Sequence, residues 1–427
     1  MTRHLLTLVW NRKRSNVLIA IEVLLSFIVL TAVTTLGVFY VDNYRKPLGF
    51  EVDGIWTISV QAHAAGGGNT SVSIQSDGAA QPAAPRQADR ERIDRRARMA
   101  QLLLTLGDLP EVEAVAVAAI TPYGGNTWQS NIEINGRRHR YGASAATDDF
   151  DRTMGLEILR GRWFTREDDG AAWQPVVINE RLAQELFPGK DAAGQFIEET
   201  RADGTAADAA DRTRVVGVVR EYRKDGEYAA PENFLFERIR LDDTRASVPD
   251  GTEIVVRVRR GTTAAFEERA VAALRNAAPE WTFQAEALTQ SRDTALQYWL
   301  APLTAAAVVS LFLLVMVAMG LSGVLWLHVT QRTREVGLRR AKGATIVDIR
   351  RQLVGEVVVL TAIATALGVI LVAQFPILEV FSVVSPFVYA MSLAISLVCI
   401  FLLTMACAWT PARMASAVHP AEALRYE

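Results

Sequence analysis

Four long apolar runs, at residues 17–41, 302–327, 353–376 and 386–409, interrupt an otherwise polar, patterned chain of 427 residues. Each is close to the ~20 helical residues needed to cross a bilayer core, so each predicts a membrane helix. Between the first and second runs the pattern changes. Short β-rich or alternating stretches predict strands at 55–60, 112–119, 131–134, 175–178, 214–219 and 253–258. Helical patterns appear at 89–106, 180–186 and 264–277. Residues 66–86, rich in Gly, Ala, Ser, Gln and Pro, predict a flexible loop inside this region, and 203–210 a second loose insertion. A last helical stretch, 288–300, is expected to run into the second membrane helix as a stalk. The predicted fold class is an α-helical membrane protein with four transmembrane helices and a large mixed α/β extracytoplasmic domain inserted between helices 1 and 2. The expected parts are an N-terminal segment 1–16, the inserted domain with its stalk at 42–301, and loops at 328–352 and 377–385. A tail follows at 410–427.

Charge orients these parts. The formal net charge of −2 hides an asymmetry: 42–300 holds 32 basic and 40 acidic residues, and the remainder 13 basic and 7 acidic. The loop 328–352 carries seven Lys/Arg against two Asp/Glu. Short loops rich in Lys/Arg stay on the cytoplasmic side, whereas long domains translocate largely regardless of charge. The expectation is therefore a cytoplasmic N-terminus, loop 328–352 and tail, with the domain and the turn 377–385 outside. The first run is too long for the ~7–15-residue core of a signal peptide, and Phe39, Tyr40 and Tyr44 suit the far interface, so it reads as a retained helix.

The loop carries local instructions. Gly343 suits the left-handed position that ends a helix, and Thr345 with Asp348 three residues later is a capping-box variant that starts the next one. Ile346, Ile349, Leu353 and Val354 then form an apolar face leading into the bilayer. On these features alone the segment is either a docking element or a solvated basic turn that obeys topology. Glu22 lies about six residues into the first helix, roughly 9 Å deep. It is either an intramembrane partner for a basic group or a snorkelling or protonated side chain.

The stretch Thr333-Arg-Glu-Val-Gly-Leu-Arg-Arg-Ala-Lys-Gly-Ala-Thr345, with Asp348, Arg350 and Glu356 after it, resembles the signature of the FtsX-like permeases, which include the MacB-type ABC transporter permeases. The closing segment 411–425 is similar to that family's C-terminal stretch. Residues 159–168, 175–187 and 214–219 look like its periplasmic core domain. The resemblance implies that the loop docks on a cytoplasmic ABC ATPase present in two copies. Arg334, Glu335, Arg339, Arg340 and Lys342 would then be docking residues, with Gly337 and Gly343 shaping the loop. It also implies a second permease subunit, identical or paralogous, with a periplasmic adaptor and an outer-membrane channel as further candidate partners. The setting would be the bacterial inner membrane and its lipids.

Two functions follow from this resemblance. One is the permease of an exporter that moves a substrate from the periplasm. The alternative is a mechanotransducing regulator that activates an extracytoplasmic partner and transports nothing.

Catalysis is not expected of the chain. No Gly-x-x-x-x-Gly-Lys-Ser/Thr occurs, and Gly189-Lys190 lacks both the upstream glycine and the hydroxyl residue. ATP and Mg are therefore expected on a separate ATPase, with no cofactor held here. The five histidines show no metal spacing, and no nucleophile elbow or basic nucleic-acid stripe is present. Cys399 and Cys407 are expected to pack as small apolar residues. Trp128, Trp163 and Trp173 are expected in cores, and the pairs Asp148–Asp149 and Asp168–Asp169 on the solvated surface.

Overall fold

A computed structural model describes residues 13–62, 85–134, 137–197, 212–242, 251–331, 338, 343–377 and 384–417. They divide into two compact units: a helical unit formed by Met1–Asp42 and Tyr298–Glu427, and an α/β unit, Asn43–Gln297.

The helical unit rests on α1 (Lys13–Tyr44), whose Ile19, Val23, Phe27 and Leu30 share one core with Val317, Leu321, Leu360 and Ile400 of the later helices. In the α/β unit, chain order gives β1 (Ile55–Ala62), α2 (Pro85–Gly107), β2 (Val112–Ala118), β3 (Gln129–Ile134), β4 (Arg137–Ala146) and α3 (Phe150–Met154). Next come β5 (Ile158–Gly161), β6 (Gln174–Asn179), α4 (Glu180–Leu186), β7 (Phe196–Ile197) and β8 (Thr213–Val219). Last are β9 (Phe234–Arg238), β10 (Glu253–Val258), α5 (Ala265–Ala277) and β11 (Trp281–Ala287). The chain then enters α6 (Leu288–Gln331), and continues to α7 (Ile346–Val372) and α8 (Pro386–Ala417). The expected stalk and second membrane helix are one continuous helix, α6, despite Pro302 within it. Among the described residues, four helices are long and apolar enough to cross a membrane.

The described strands join one sheet in the order β11-β1-β10-β2-β4-β9-β6-β8-β5, with β3 on β4 and β7 on β8. It narrows in the middle. β2 and β4 share a single register pair, Ala118 with Ala146, both fully buried. On one side of this waist, Met99, Leu102 and Leu106 of α2 and Phe266, Ala270 and Leu274 of α5 cover Trp56, Ile58, Ile254 and Val256. Strand alternation turns Ile55, Ala116 and Val255 to the opposite face, into an aromatic core of Phe50, Phe150, Trp163, Phe164, Tyr222, Phe234 and Phe236. On the other side of the waist, Leu182, Ala183 and Leu186 of α4 cover Val176, Ile178, Val215 and Leu235.

All six expected strands and all three expected helices of this region are present. Strands β4, β5, β7, β9 and β11 were not expected. The end of β4 is Ala-Ser-Ala-Ala, a poor strand sequence by propensity. It is a strand because β9 pairs with it in parallel and the waist has room only for small side chains. Residues 85 and 86, expected in a loop, open α2; 63–84, 203–210 and 378–383 lie outside the described residues.

Of the acid pairs, Asp149 and Asp169 are exposed as expected, but Asp148 and Asp168 are not. Asp168 is buried, accepts a two-pronged bond from Arg162 at 2.6 and 2.7 Å, and caps its own short turn through the Thr165 amide at 3.1 Å. Burial pushes its carboxyl up, but the Arg162 and Thr165 bonds outweigh that and hold it below the usual range. Asp148 takes both prongs of Arg238 at 2.7 Å, and Arg238 also reaches Asp169 at 2.7 Å. Arg238 comes from β9, 90 residues from Asp148, so local sequence could not show that pairing; Arg162 lies only six residues before Asp168. Trp163 is in the core as expected, while Trp128 is exposed and Trp173 lies under the Arg214 guanidinium at 5.0 Å.

β5 and β8 approach so closely that a Cβ on Gly217 would stand 2.1 Å from the Arg162 carbonyl oxygen, and one on Gly161, at φ +69°, 2.2 Å from that of Val216. Gly217→Ala is expected to cost about 3 kcal/mol or more, because backbone rather than a side-chain tip must move. Gly107→Ala, with open space around it, should change stability by less than about 0.5 kcal/mol. Denaturant unfolding of the detergent-solubilised full chain checks this; equal midpoints for the two variants would contradict the close approach.

Candidate coupling site

The loop between α6 and α7 is described at Leu338, which is exposed, and from Gly343 onward. Gly343 has φ +99°, the left-handed backbone its position requires. Thr345 is extended and caps α7 reciprocally: the Asp348 amide donates to Thr345 Oγ1 at 3.2 Å and the Thr345 amide to Asp348 Oδ2 at 3.0 Å. Two otherwise orphaned donors at the helix start are thereby satisfied. Of the expected apolar face, Ile349 is buried and Ile346 is exposed. Arg334, Glu335, Gly337, Arg339, Arg340 and Lys342 lie outside the described residues.

Glu22 is half-buried on α1 and lies against bare backbone of α6. A Cβ on Gly320 would sit 2.5 Å from its Oε1. Among the described residues it has no ion pair with an Arg or Lys. Gly368 of α7 makes a similar space for the Phe27 ring, at 2.4 Å. On the third side, Thr34 Oγ1 and Ser396 Oγ of α8 share a hydrogen bond of 2.7 Å. Close approach through glycine, with small hydroxyls bonding across, is how helices associate where no hydrophobic force drives them together. Cys407 is buried in the same core, Cys399 is half-buried against it, and neither forms a disulfide. Among the described residues, no group of three or more His, Cys, Asp or Glu is placed to hold a metal ion.

The sequence reading missed a second polar centre, the loop between β8 and β9. Tyr222 and Arg223 are among the largest fully buried side chains, and Lys224 and Glu227 are buried beside them. Lys224 Nζ is 2.7 Å from Asp225 and 3.8 Å from Glu232, whose carboxyl burial pushes up. Tyr123 donates its hydroxyl to Glu227 at 3.2 Å; burial first, and that carboxylate second, push the phenol upward. Tyr123 itself takes φ +61°, and its ring lies where a Cβ on Gly226 would be, 2.6 Å away. The available signal was the charged run Glu221-Tyr-Arg-Lys-Asp-Gly-Glu227, which reads as a solvated turn unless its distant partners are known.

Comparisons with known proteins cover both units. The MacB-like periplasmic core domain family matches residues 18–274, and the FtsX-like permease C-terminal family matches residues 307–420. The macrolide export ATP-binding/permease protein MacB 1 of Yersinia pestis bv. Antiqua (strain Antiqua) is 27% identical over 325 residues, 73% of this chain and 47% of that protein. The uncharacterized ABC transporter permease YvrN of Bacillus subtilis (strain 168) is 27% identical over 303 residues, 66% of this chain and 69% of the relative. The chain thus spans about half the length of the MacB relatives it matches. The periplasmic region of MacB from Actinobacillus actinomycetemcomitans aligns with 58% of this chain and 94% of its own, at 14% identity and a TM-score of 0.36.

Thr345→Ala removes the hydroxyl half of the α7 cap and should cost about 1 kcal/mol locally. Amide exchange at 346–348 should rise roughly fivefold, with Thr345→Ser close to wild type. Unchanged exchange in Thr345→Ala would show that the box does not hold the start of α7.

Proposed function

This chain belongs to the FtsX/MacB-type family of ABC transporter permeases, and from that premise we propose that it is the membrane subunit of an ATP-driven exporter of the bacterial inner membrane. The observation that carries the reading is the order of parts. A periplasmic-core match and a permease match lie on one chain, with apolar helices arranged as one before the α/β unit and three after it. The charge of 328–352 supports placing that loop in the cytoplasm, and the α/β unit outside.

On this reading a separate ABC ATPase, in two copies, binds ATP and Mg and docks on the loop. Residues 1–427 carry no phosphate-cradling motif, so on this reading hydrolysis is assigned outside them. Closure of the ATPases moves the docked loop. Gly343 and the Thr345 cap fix where that element stops and α7 begins. The motion then reaches the α/β unit along α6, which pushes a substrate gathered outside the inner membrane towards an adaptor and an outer-membrane channel. A second permease subunit, identical or paralogous, completes the pair. The names of the MacB relatives support export as the outcome.

Glu335 and Arg339 are four apart and would share a helix face, with Arg340 and Lys342 adding charge towards its C-terminal end, where the helix dipole favours cations. Arg339→Glu combined with Arg340→Glu should give a normally inserted, stable protein whose co-purification with its ATPase falls roughly tenfold or more. Wild-type recovery of the ATPase would move the coupling role away from this loop.

A further inference from the structure

The loop between β8 and β9 touches the ends of two helices through polar contacts that are buried or half-buried. The last turn of α1 leaves carbonyl oxygens with no partner inside the helix. Arg223 supplies one. Its Nη1 donates to the Asn43 carbonyl at 2.8 Å and to that of Lys46 at 3.1 Å. Its Nη2 donates to the carbonyls of Glu227 and Ala229, both at 2.6 Å. One guanidinium thus ties the end of α1 to both sides of the loop. A cation also suits the negative end of a helix. Asn43 answers with its own side chain, donating Nδ2 to the Tyr228 carbonyl at 3.3 Å. Tyr44 stacks on Tyr228, with ring centroids 5.7 Å apart and planes 29° apart.

The same loop holds the start of α6. Glu227 accepts from Arg292 Nε at 2.5 Å with one carboxylate oxygen and from the Tyr123 hydroxyl at 3.2 Å with the other. Arg292 lies one turn into α6. The loop is itself anchored in the aromatic core: Tyr222 donates its hydroxyl to the Ile120 carbonyl at 3.2 Å, and the Tyr123 amide donates to the Lys224 carbonyl at 2.8 Å. A Cβ on Gly49, at φ +87°, would stand 1.8 Å from the Glu221 carbonyl oxygen, so the segment leaving α1 also lies directly on the loop. Burying a guanidinium and a carboxylate is costly unless they are hydrogen-bonded. Both Nη atoms of Arg223 and both Glu227 oxygens are bonded, and only Arg223 Nε has no partner among the described residues, so such a centre resists partial loosening.

We infer that Arg223, Glu227 and Arg292 form a clasp that holds the outer end of α1 and the start of α6 to a single loop, so that the two helices enter the α/β unit as a fixed pair. Arg223, Glu227 and Arg292 are positioning residues. They would make a displacement of either helix a displacement of both, and pass it to the aromatic core through Tyr222 and Tyr123. The purpose of the clasp rests on the permease reading above; its existence does not.

Hydrogen exchange on the full chain in lipid nanodiscs tests it without ATPase or substrate. Arg292 is partly exposed, so Arg292→Ala should fold and cut only the α6 arm. If the clasp is one unit, exchange should rise about tenfold at 221–229 and at 43–46, as well as at 288–296. Arg292→Lys, which keeps the charge but not the guanidinium, should give the same pattern at smaller amplitude. A rise confined to 288–296 in both variants, with 43–46 and 221–229 at wild-type rates, would overturn the inference. Wild-type ATPase recovery by the Arg339→Glu, Arg340→Glu variant would instead move the coupling role away from the basic loop and leave the clasp standing.

Discussion

The α/β unit is joined to the helical unit at only two points along the chain, 42–43 and 297–298, and both fall inside helices. That constraint governs any account in which motion passes from one unit to the other. A helix transmits displacement along its axis because each turn is bonded to the next, which a flexible linker cannot do. α6 has 44 residues and includes the boundary at 297–298. Its rigidity is useful only if its outer end is fixed to something rigid, and α1 has the same requirement. Buried hydrogen bonds around Arg223 and Glu227 meet both at one loop, backed by an aromatic core.

The helical unit solves a different problem. Between membrane helices there is no hydrophobic force to bring them together, so close packing and hydroxyl bonds must hold them. α1 serves as the common post: Gly320 accommodates Glu22, Gly368 accommodates Phe27, and Thr34 bonds to Ser396. A long polar side chain lying on glycine backbone can stay compact within the bundle without displacing a neighbouring helix. The same three contacts place α6, α7 and α8 around one helix.

Much of this was legible in the sequence, for physical reasons. Twenty-residue apolar runs have few alternative readings, and enrichment in β-branched residues found strands buried on both faces, such as Val112–Ala118 and Glu253–Val258. Gly343 and the Thr345–Asp348 box were readable because turn and cap chemistry is local. What escaped was non-local. The small residues of β4 make a strand only because β9 lies beside them, and Asp148 is paired only because Arg238 comes from a strand 90 residues away. The Arg223 clasp joins residues 180 and 65 positions apart, so in one dimension it is an unremarkable charged turn. The docking residues of the basic loop were chosen by resemblance, and six of the seven lie outside the described residues.

The central claim is that ATP bound by a separate subunit changes the relation between the two units of this chain. Spin labels at exposed positions report it most directly: Leu104→Cys on α2 and Gln374→Cys just after α7, with Cys399 and Cys407 replaced. The distance distribution between them is measured in the reconstituted complex, nucleotide-free and with ATP trapped by a hydrolysis-deficient ATPase. The account predicts a shifted distribution when ATP is bound. Identical distributions in the two states, with the ATPase bound and saturated, would contradict it.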